Sequence, residues 1–205
     1  MALNIKVKLN RPISFPKGQS YLVISNHLSY LDIFILFTHV PAVFIASIDM
    51  VQNDIVLGKA TEYSGGMFVD RDDRTKIREE LNKISETFDM GLNVVLFPEG
   101  TTSNGDQVLP FKTSFFAITE KRDLNIIPTC IKYVSIDGKS VDEENRDLVY
   151  FYGGMKFFKH FFGFLSVNTL EIELSFLDTI SSGEIASRKD LASKVYDAIN
   201  SEYLK

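Results

Sequence analysis

The chain has 205 residues, 45% hydrophobic and 24% charged, enough apolar material to bury the core of one domain, taken as residues 1–205. The formal net charge of −5 excludes a general attraction to nucleic acid or to anionic lipid, so any phosphate binding must come from local basic clusters. A single cysteine, Cys130, excludes an internal disulfide framework and fits a reducing compartment.

In chain order, Ile5, Val7 and Leu9 alternate with Lys6 and Lys8, the period of a strand, and no signal peptide is read at the N-terminus. Tyr21–Ser25 reads as a buried strand, Tyr30–Thr38 as a helix that stops before Pro41, and Ala42–Ala46 as a strand. The most apolar stretch, 33–48, is interrupted by His39 and Pro41 and falls short of the ~20 residues of a spanning helix, so no transmembrane segment is expected. Ile77, Leu81, Ile84 and Phe88 lie on one helical face, with Gly91 where a C-cap belongs. Asn93–Phe97 reads as a strand ending at Pro98, and Ser114–Lys121 as a short helix. Ile126–Val134, Leu148–Tyr152 and Leu170–Phe176 read as strands, and a last helix starts at Ser187 with Asp190 as its capping partner. The alternation predicts an α/β fold: a mixed, largely parallel sheet flanked by helices.

Three polar clusters follow apolar runs, at the edge where α/β sheets place their sites. The first is Asn26-His27-Leu28-Ser29-Tyr30-Leu31-Asp32. Residues five apart are about 140° apart on a regular helix, so His27 and Asp32 meet only if His27 lies in the turn and Asp32 in the first helical turn. Ser29 would then cap the helix with Asp32 at its third position. The pair is either a general base with its orienting carboxylate or a capping box beside an ordinary turn histidine. The second cluster, Gly65-Gly66-Met67-Phe68-Val69-Asp70-Arg71, offers a fork-like anion donor in Arg71 or a solvated helix start. The third, Phe97-Pro98-Glu99-Gly100-Thr101-Thr102-Ser103-Asn104-Gly105, is rich in hydroxyls and backbone N–H groups that suit an anion or oxyanion, or is simply a turn.

Taken in order, His27-x4-Asp32, Gly66-x-Phe68-Val69-Asp70-Arg71, Phe97-Pro98-Glu99-Gly100-Thr101 and Ile127-Pro128 resemble the lysophosphatidate acyltransferase-type (1-acylglycerol-3-phosphate O-acyltransferase) family of glycerolipid acyltransferases, over roughly residues 20–135. Tyr152-Gly153-Gly154-Met155 through His160 also looks like a family segment. The resemblance implies His27 as base with Asp32 as its partner. It implies Arg71, Glu99, Gly100, Thr101 and Thr102 in acceptor binding, and Pro128 in the acyl-donor region. The implied reaction moves a fatty acyl group from acyl-CoA or acyl carrier protein, as co-substrate, to a lysophospholipid hydroxyl. The first acceptor implied is 1-acyl-sn-glycerol-3-phosphate, with no metal or other cofactor. Thr102 stands where phosphatidate-forming members usually carry Arg, which leaves open another lysolipid such as lyso-ornithine lipid. A non-catalytic lipid-binding relative of the same fold stays open as well. The implied setting is cytoplasmic, peripheral on the inner face of the membrane.

The residues add chemistry of their own. A neutral imidazole can take a hydroxyl proton as the oxygen attacks a thioester, and backbone donors near Gly100 would face the oxyanion. No Gly-x-Ser-x-Gly elbow is present, Cys130 reads as core, and His39 and His160 read as non-catalytic. On a helical wheel, Phe157, Phe158, Phe161, Phe162, Phe164 and Leu165 fill an arc of about 160°, opposite Lys156, Lys159, His160 and Gly163. This helix either lies in a membrane interface or packs on the core with its lysines outside.

Overall fold

A computed structural model describes residues 3–47, 67–69 and 74–205, with backbone alone for 46–47, 67–69 and 74–80. The described elements are β1 (Asn4–Leu9), β2 (Tyr21–Ser25), α1 (Leu31–Phe37), β3 (Ala42–Ser47), β4 (Met67–Val69), α2 (Arg74–Asp89) and β5 (Asn93–Leu96). A 3-10 helix (Thr113–Glu120), β6 (Asn125–Ile136), β7 (Lys139–Ser140), α3 (Phe157–Phe164), β8 (Thr169–Phe176), β9 (Ile180–Ser181) and α4 (Arg188–Tyr203) follow.

These strands form one sheet in the order β1-β8-β6-β2-β5-β3-β4, with β7 and β9 paired to β6. Five neighbouring pairs run parallel, while β8 pairs antiparallel with β6. The mixed, largely parallel sheet read from the sequence is therefore the fold. Parallel strands covered by helices on both faces need continuous apolar runs, and Leu22, Val23 and Ile24 of β2 and Val94, Val95 and Leu96 of β5 are all buried. Pro128 sits inside β6, where a missing N–H would normally break a ladder. It falls between the stretch of β6 that pairs with β9, at Asn125 and Ile126, and the stretch from Thr129 onward that pairs with β8.

At the outer edge, Lys6 and Lys8 of β1 stand opposite Glu171 and Glu173 of β8 and pair with them at 3.1 and 2.9 Å. Lysines along an edge strand discourage pairing with another chain, whereas the exposed ion pairs themselves add little stability. α2 ends in a Schellman motif: Leu92 N–H donates to Thr87 C=O and Gly91 N–H to Phe88 C=O, with Gly91 at φ +76°. α4 is capped as expected, Ser187 Oγ accepting from Asp190 N–H. Its Leu191, Val195, Ile199 and Tyr203 are buried, and the helix packs on β6 and the 3-10 helix Thr113–Glu120.

Two expected elements differ. Residues 113–120 wind as a 3-10 rather than an α-helix. Leu148–Tyr152 is not a strand: Leu148 closes a 3-10 turn, Arg146–Leu148. Val149 and Tyr150 are buried by packing, and the Phe151 N–H bonds the Leu28 carbonyl rather than a ladder partner. An apolar run has the same appearance in sequence whether it is buried in a sheet or beside one.

Candidate active site

β2 lies between β5 and β6 and runs parallel to both, so the segments following β2 and β5 leave the same edge of the sheet. The first two residues beyond β2 are Asn26 and His27. Asn26 continues the ladder with its side chain, donating from Nδ2 to Ile131 C=O at 2.9 Å and accepting at Oδ1 from Ile131 N–H at 2.8 Å. That clamp fixes where the chain turns out of the sheet.

His27 is 4% exposed and its ring stacks on Phe97 at 4.0 Å with 15° between planes. Its Nδ1 lies 2.9 Å from Asp32 Oδ2. The same Oδ2 accepts the N–H groups of Leu28 at 2.7 Å and Ser29 at 3.0 Å, and Oδ1 accepts the Tyr133 hydroxyl at 2.7 Å. A carboxylate that only accepts places the imidazole proton on Nδ1 and leaves Nε2 as the basic nitrogen. Among the described residues Nε2 makes no hydrogen bond. The turn therefore has the geometry that His-x4-Asp requires, with His27 outside the helix and Asp32 in the first turn of α1.

The expected Ser29 cap is corrected. Tyr30 occupies the N-cap position without a side-chain bond, and the buried Ser29 Oγ has no partner among the described residues. Asp32 itself reaches back to the free N–H groups, so the carboxylate both caps the turn and holds the imidazole.

The Phe97–Gly105 loop folds beside this turn. Glu99 is 2% exposed. Its Oε1 accepts the His27 N–H at 2.7 Å and its Oε2 the Leu109 N–H at 2.8 Å. Burial raises its carboxyl to about 8, opposed by the two backbone N–H bonds and aided by nearby Asp32. Glu99, implied in acceptor binding, lies inward, with each oxygen accepting a backbone amide. Ser103 N–H donates to His27 C=O at 2.9 Å, a second tie between the two motifs. Gly100 stands at φ +72°, and its own N–H donates to Phe97 C=O at 3.1 Å. Thr101 is exposed and Thr102 partly exposed. Arg71, with Gly65 and Gly66, lies outside the described residues.

Two partners of the site come from the β2–β6 pairing: Tyr133 approaches Asp32 from β6, and Asn26, the first residue of the His27 cluster, holds β6 to the turn. Tyr133 lies in no sequence motif, and only a paired strand register could have brought it to notice. Cys130 is buried, which pushes its thiol up to about 12, as suits a core cysteine. His160 is buried too, not on an outer polar face. Its Nδ1 lies 3.1 Å from the Tyr30 hydroxyl, and burial lowers its pKa. A pocket of about 630 Å³ beside α3 is lined in part by Gly154, Met155 and His160 of the segment 152–160 and includes none of His27, Asp32, Glu99 and Thr101.

The acyltransferase family model matches residues 6–132. The chain belongs to the acyltransferase family. This acyltransferase is 27% identical over 199 residues to a lyso-ornithine lipid O-acyltransferase of Rhizobium meliloti, covering 94% of this chain and 67% of that one. It is 29% identical over 199 residues to a 1-acyl-sn-glycerol-3-phosphate acyltransferase of Neisseria gonorrhoeae, covering 97% and 74%. In fold it resembles the crystal structure of the 1-acyl-sn-glycerophosphate acyltransferase of Thermotoga maritima, with a TM-score of 0.67 at 21% identity, covering 98% of this chain and 71% of that one. The resemblance to lysophosphatidate acyltransferase-type enzymes, read from four ordered motifs, stands, and the protein is an enzyme of that family.

Proposed function

We propose that this acyltransferase moves a fatty acyl group from a thioester, acyl-CoA or acyl carrier protein, to the hydroxyl of a lysolipid, with 1-acyl-sn-glycerol-3-phosphate as the first acceptor and phosphatidate as the product. The observation that carries the reading is the 2.9 Å contact of His27 Nδ1 with Asp32 at the end of β2, which leaves Nε2 to act as base. Nε2 takes the hydroxyl proton as that oxygen bonds to the thioester carbonyl carbon. The tetrahedral intermediate expels sulfur, and the imidazolium returns the proton to the thiolate, giving ester and thiol. Asp32 fixes the tautomer and stabilises the imidazolium. Arg71, Gly100, Thr101 and Thr102 belong to the acceptor side, with Glu99 holding the loop that presents them. Pro128 belongs to the donor side.

A second acceptor, lyso-ornithine lipid, is favoured by one observation: Thr102 follows Glu99-Gly100-Thr101 where the phosphatidate-forming pattern has Arg, the residue suited to a phosphate. The setting belongs to the same proposal: cytoplasmic, on the inner face of the membrane. Among the described residues no helix is long and apolar enough to cross a membrane. α3 presents Phe158 and Phe162 to solvent, 58% and 66% exposed, beside Lys156 and Lys159, the pattern of an interfacial helix.

The test is an acyl-transfer screen of the purified protein, pairing each donor with lysophosphatidate, other lysophospholipids and lyso-ornithine lipid, with products read by mass spectrometry. An esterified lysolipid is expected, and His27→Ala should lower its rate about 10²–10⁴-fold. Equal rates in the two proteins would end the role of His27 as the base, and no esterified product with any pairing would return the non-catalytic lipid-binding alternative.

A further inference from the structure

β2 and β6 pair from Tyr21↔Asn125 to Ser25↔Thr129. Beyond that point β2 has turned away into the His27 loop, whereas β6 continues to Ile136. The side chain of Tyr133 occupies the space so vacated, and a register shift between Tyr133 and Ser135 marks where β6 bends. The ring is buried and meets Tyr150 edge-on at 5.3 Å, 87° between planes. Its hydroxyl donates to Asp32 Oδ1 at 2.7 Å, on the oxygen that does not face His27.

Asp32 is fully buried, so an Oδ1 without this donor would have no water to replace it. The carboxylate would then be free to rotate, and Oδ2 would lose its fixed alignment with Nδ1. A hydrogen bond to the far oxygen also disperses the negative charge and makes the carboxylate a weaker competitor for the Nδ1 proton. We propose that Tyr133 is a positioning residue of the His27–Asp32 pair. Its phenol O–H locks the Asp32 carboxylate so that the imidazole proton stays on Nδ1 and Nε2 remains the base. The proposal rests on the acyl-transfer reading above.

The ionisable groups facing the pair are Tyr133 from β6, Glu99 from the loop after β5, Tyr150 from the segment after the Arg146–Leu148 turn, and Tyr203 from α4, whereas the Tyr30 hydroxyl, just before α1, meets His160. Only Tyr133 has its hydroxyl bonded to Asp32. Removing that donor leaves more negative charge on the carboxylate beside the imidazole, which favours the imidazolium over the neutral base.

The test compares wild type, Tyr133→Phe, Tyr150→Phe, Asp32→Asn and the double variant Asp32→Asn/Tyr133→Phe in acyl transfer across pH, below the melting temperature of each. Tyr133→Phe is expected to lower kcat/KM roughly ten-fold, mostly in kcat, and to move the acid limb of the profile to higher pH. Tyr150→Phe, which removes a neighbouring hydroxyl bonded to Tyr203 and not to Asp32, should leave that limb in place. In the Asp32→Asn background the added Tyr133→Phe change should alter kcat/KM less than about two-fold, since a residue acting through Asp32 has nothing left to act on. 3,5-Difluorotyrosine at position 133 keeps the ring and strengthens the donor, and should move the limb the opposite way. A wild-type limb in Tyr133→Phe, the same shift in Tyr150→Phe, or an undiminished effect in the Asp32→Asn background would each overturn the proposal. Full activity in His27→Ala would instead remove His27 as the base, the part of the acyl-transfer reading on which this proposal rests.

Discussion

Glu99 Oε1 accepts the backbone N–H of His27 at 2.7 Å, so a carboxylate from one motif holds the main chain of another 72 positions away. Its second oxygen holds Leu109 N–H at 2.8 Å. Burial sets its carboxyl at about 8 against an ordinary value of 4.5. Between those values the folded chain keeps a proton that the unfolded chain has lost. The stabilisation is therefore full below about pH 4.5 and drains away as pH rises toward 8, at up to about 1.4 kcal/mol per pH unit. Glu99→Gln cannot ionise, and its amide has one accepting oxygen for two N–H groups, which costs about 1–3 kcal/mol. The variant should melt well below wild type at pH 5, with the gap narrowing by pH 8. Parallel melting curves from pH 5 to 8 would show that Glu99 does not titrate in this range.

Asp32 meets four donors, from His27, Leu28, Ser29 and Tyr133. Asp32→Asn keeps the volume but turns an N–H₂ toward some of those donors and removes the charge opposite the imidazolium. The expected result is a loss of about 10²–10⁴-fold in kcat, with KM for both substrates changed less than about three-fold. Steady-state kinetics with saturating donor checks it; a kcat near wild type would mean that His27 works without its carboxylate.

Much of this arrangement was legible from the chain, for reasons that can be named. Leu22–Ile24 and Val94–Leu96 are unbroken apolar runs ended by polar residues, which is what central parallel strands require, so the sheet edge bearing the site could be read directly. His27 and Asp32 could be paired because a local turn sets their distance. What stayed hidden depends on contacts distant in sequence. Tyr133 lies 101 positions from Asp32 and looks like any strand aromatic until β2 and β6 are in register. The Ser29 side chain does not cap because the Asp32 N–H that it would have bound goes to the Ser29 carbonyl at 3.1 Å. The inward turn of Glu99 was hidden too, because the His27 and Leu109 amides that converge on it are 72 and 10 positions away and only the folded loop brings them together.

Gly105 links the loop to the tyrosines behind the site. It stands at φ +80°, and a Cβ there would lie 2.3 Å from Tyr150 Cε2. Its carbonyl accepts the Tyr203 hydroxyl of α4 at 2.6 Å. Gly105→Ala combines a left-handed backbone with an overlap onto a buried ring, about 2–4 kcal/mol in all. Gly138, at φ +79° with nothing within 4 Å, supplies the control: Gly138→Ala should cost only the backbone part, about 1–2 kcal/mol. Urea unfolding of both variants measures the difference. Equal midpoints would mean that Tyr150 yields without strain.

α3 divides its aromatic residues between two tasks. His160 and Phe164 are buried, and Phe161 is half-buried and stacks on Phe157 at 5.7 Å, so this side of the helix belongs to the body of the protein. Phe158, Phe162 and Leu165 remain 58%, 66% and 54% exposed. Tyr30, just before α1, meets Phe157 edge-on at 5.2 Å, and further along α1 Phe34 and Phe37 are each 60% exposed. Isolated exposed aromatics are ordinary, but a helix that exposes a triad beside two lysines fits an interface with anionic lipid, despite a net charge of −5 on the chain. Phe158→Ser/Phe162→Ser removes apolar area from that face and leaves the Phe157–Phe161 stack intact. Binding to vesicles of mixed zwitterionic and anionic phospholipid should weaken about 10–100-fold, while the melting temperature stays within about 2 °C of wild type. Lys156→Glu/Lys159→Glu should weaken binding to the anionic vesicles only. Unchanged sedimentation of the double serine variant with either kind of vesicle would show that this face does not meet the membrane, whatever the fate of the acyl-transfer assignment.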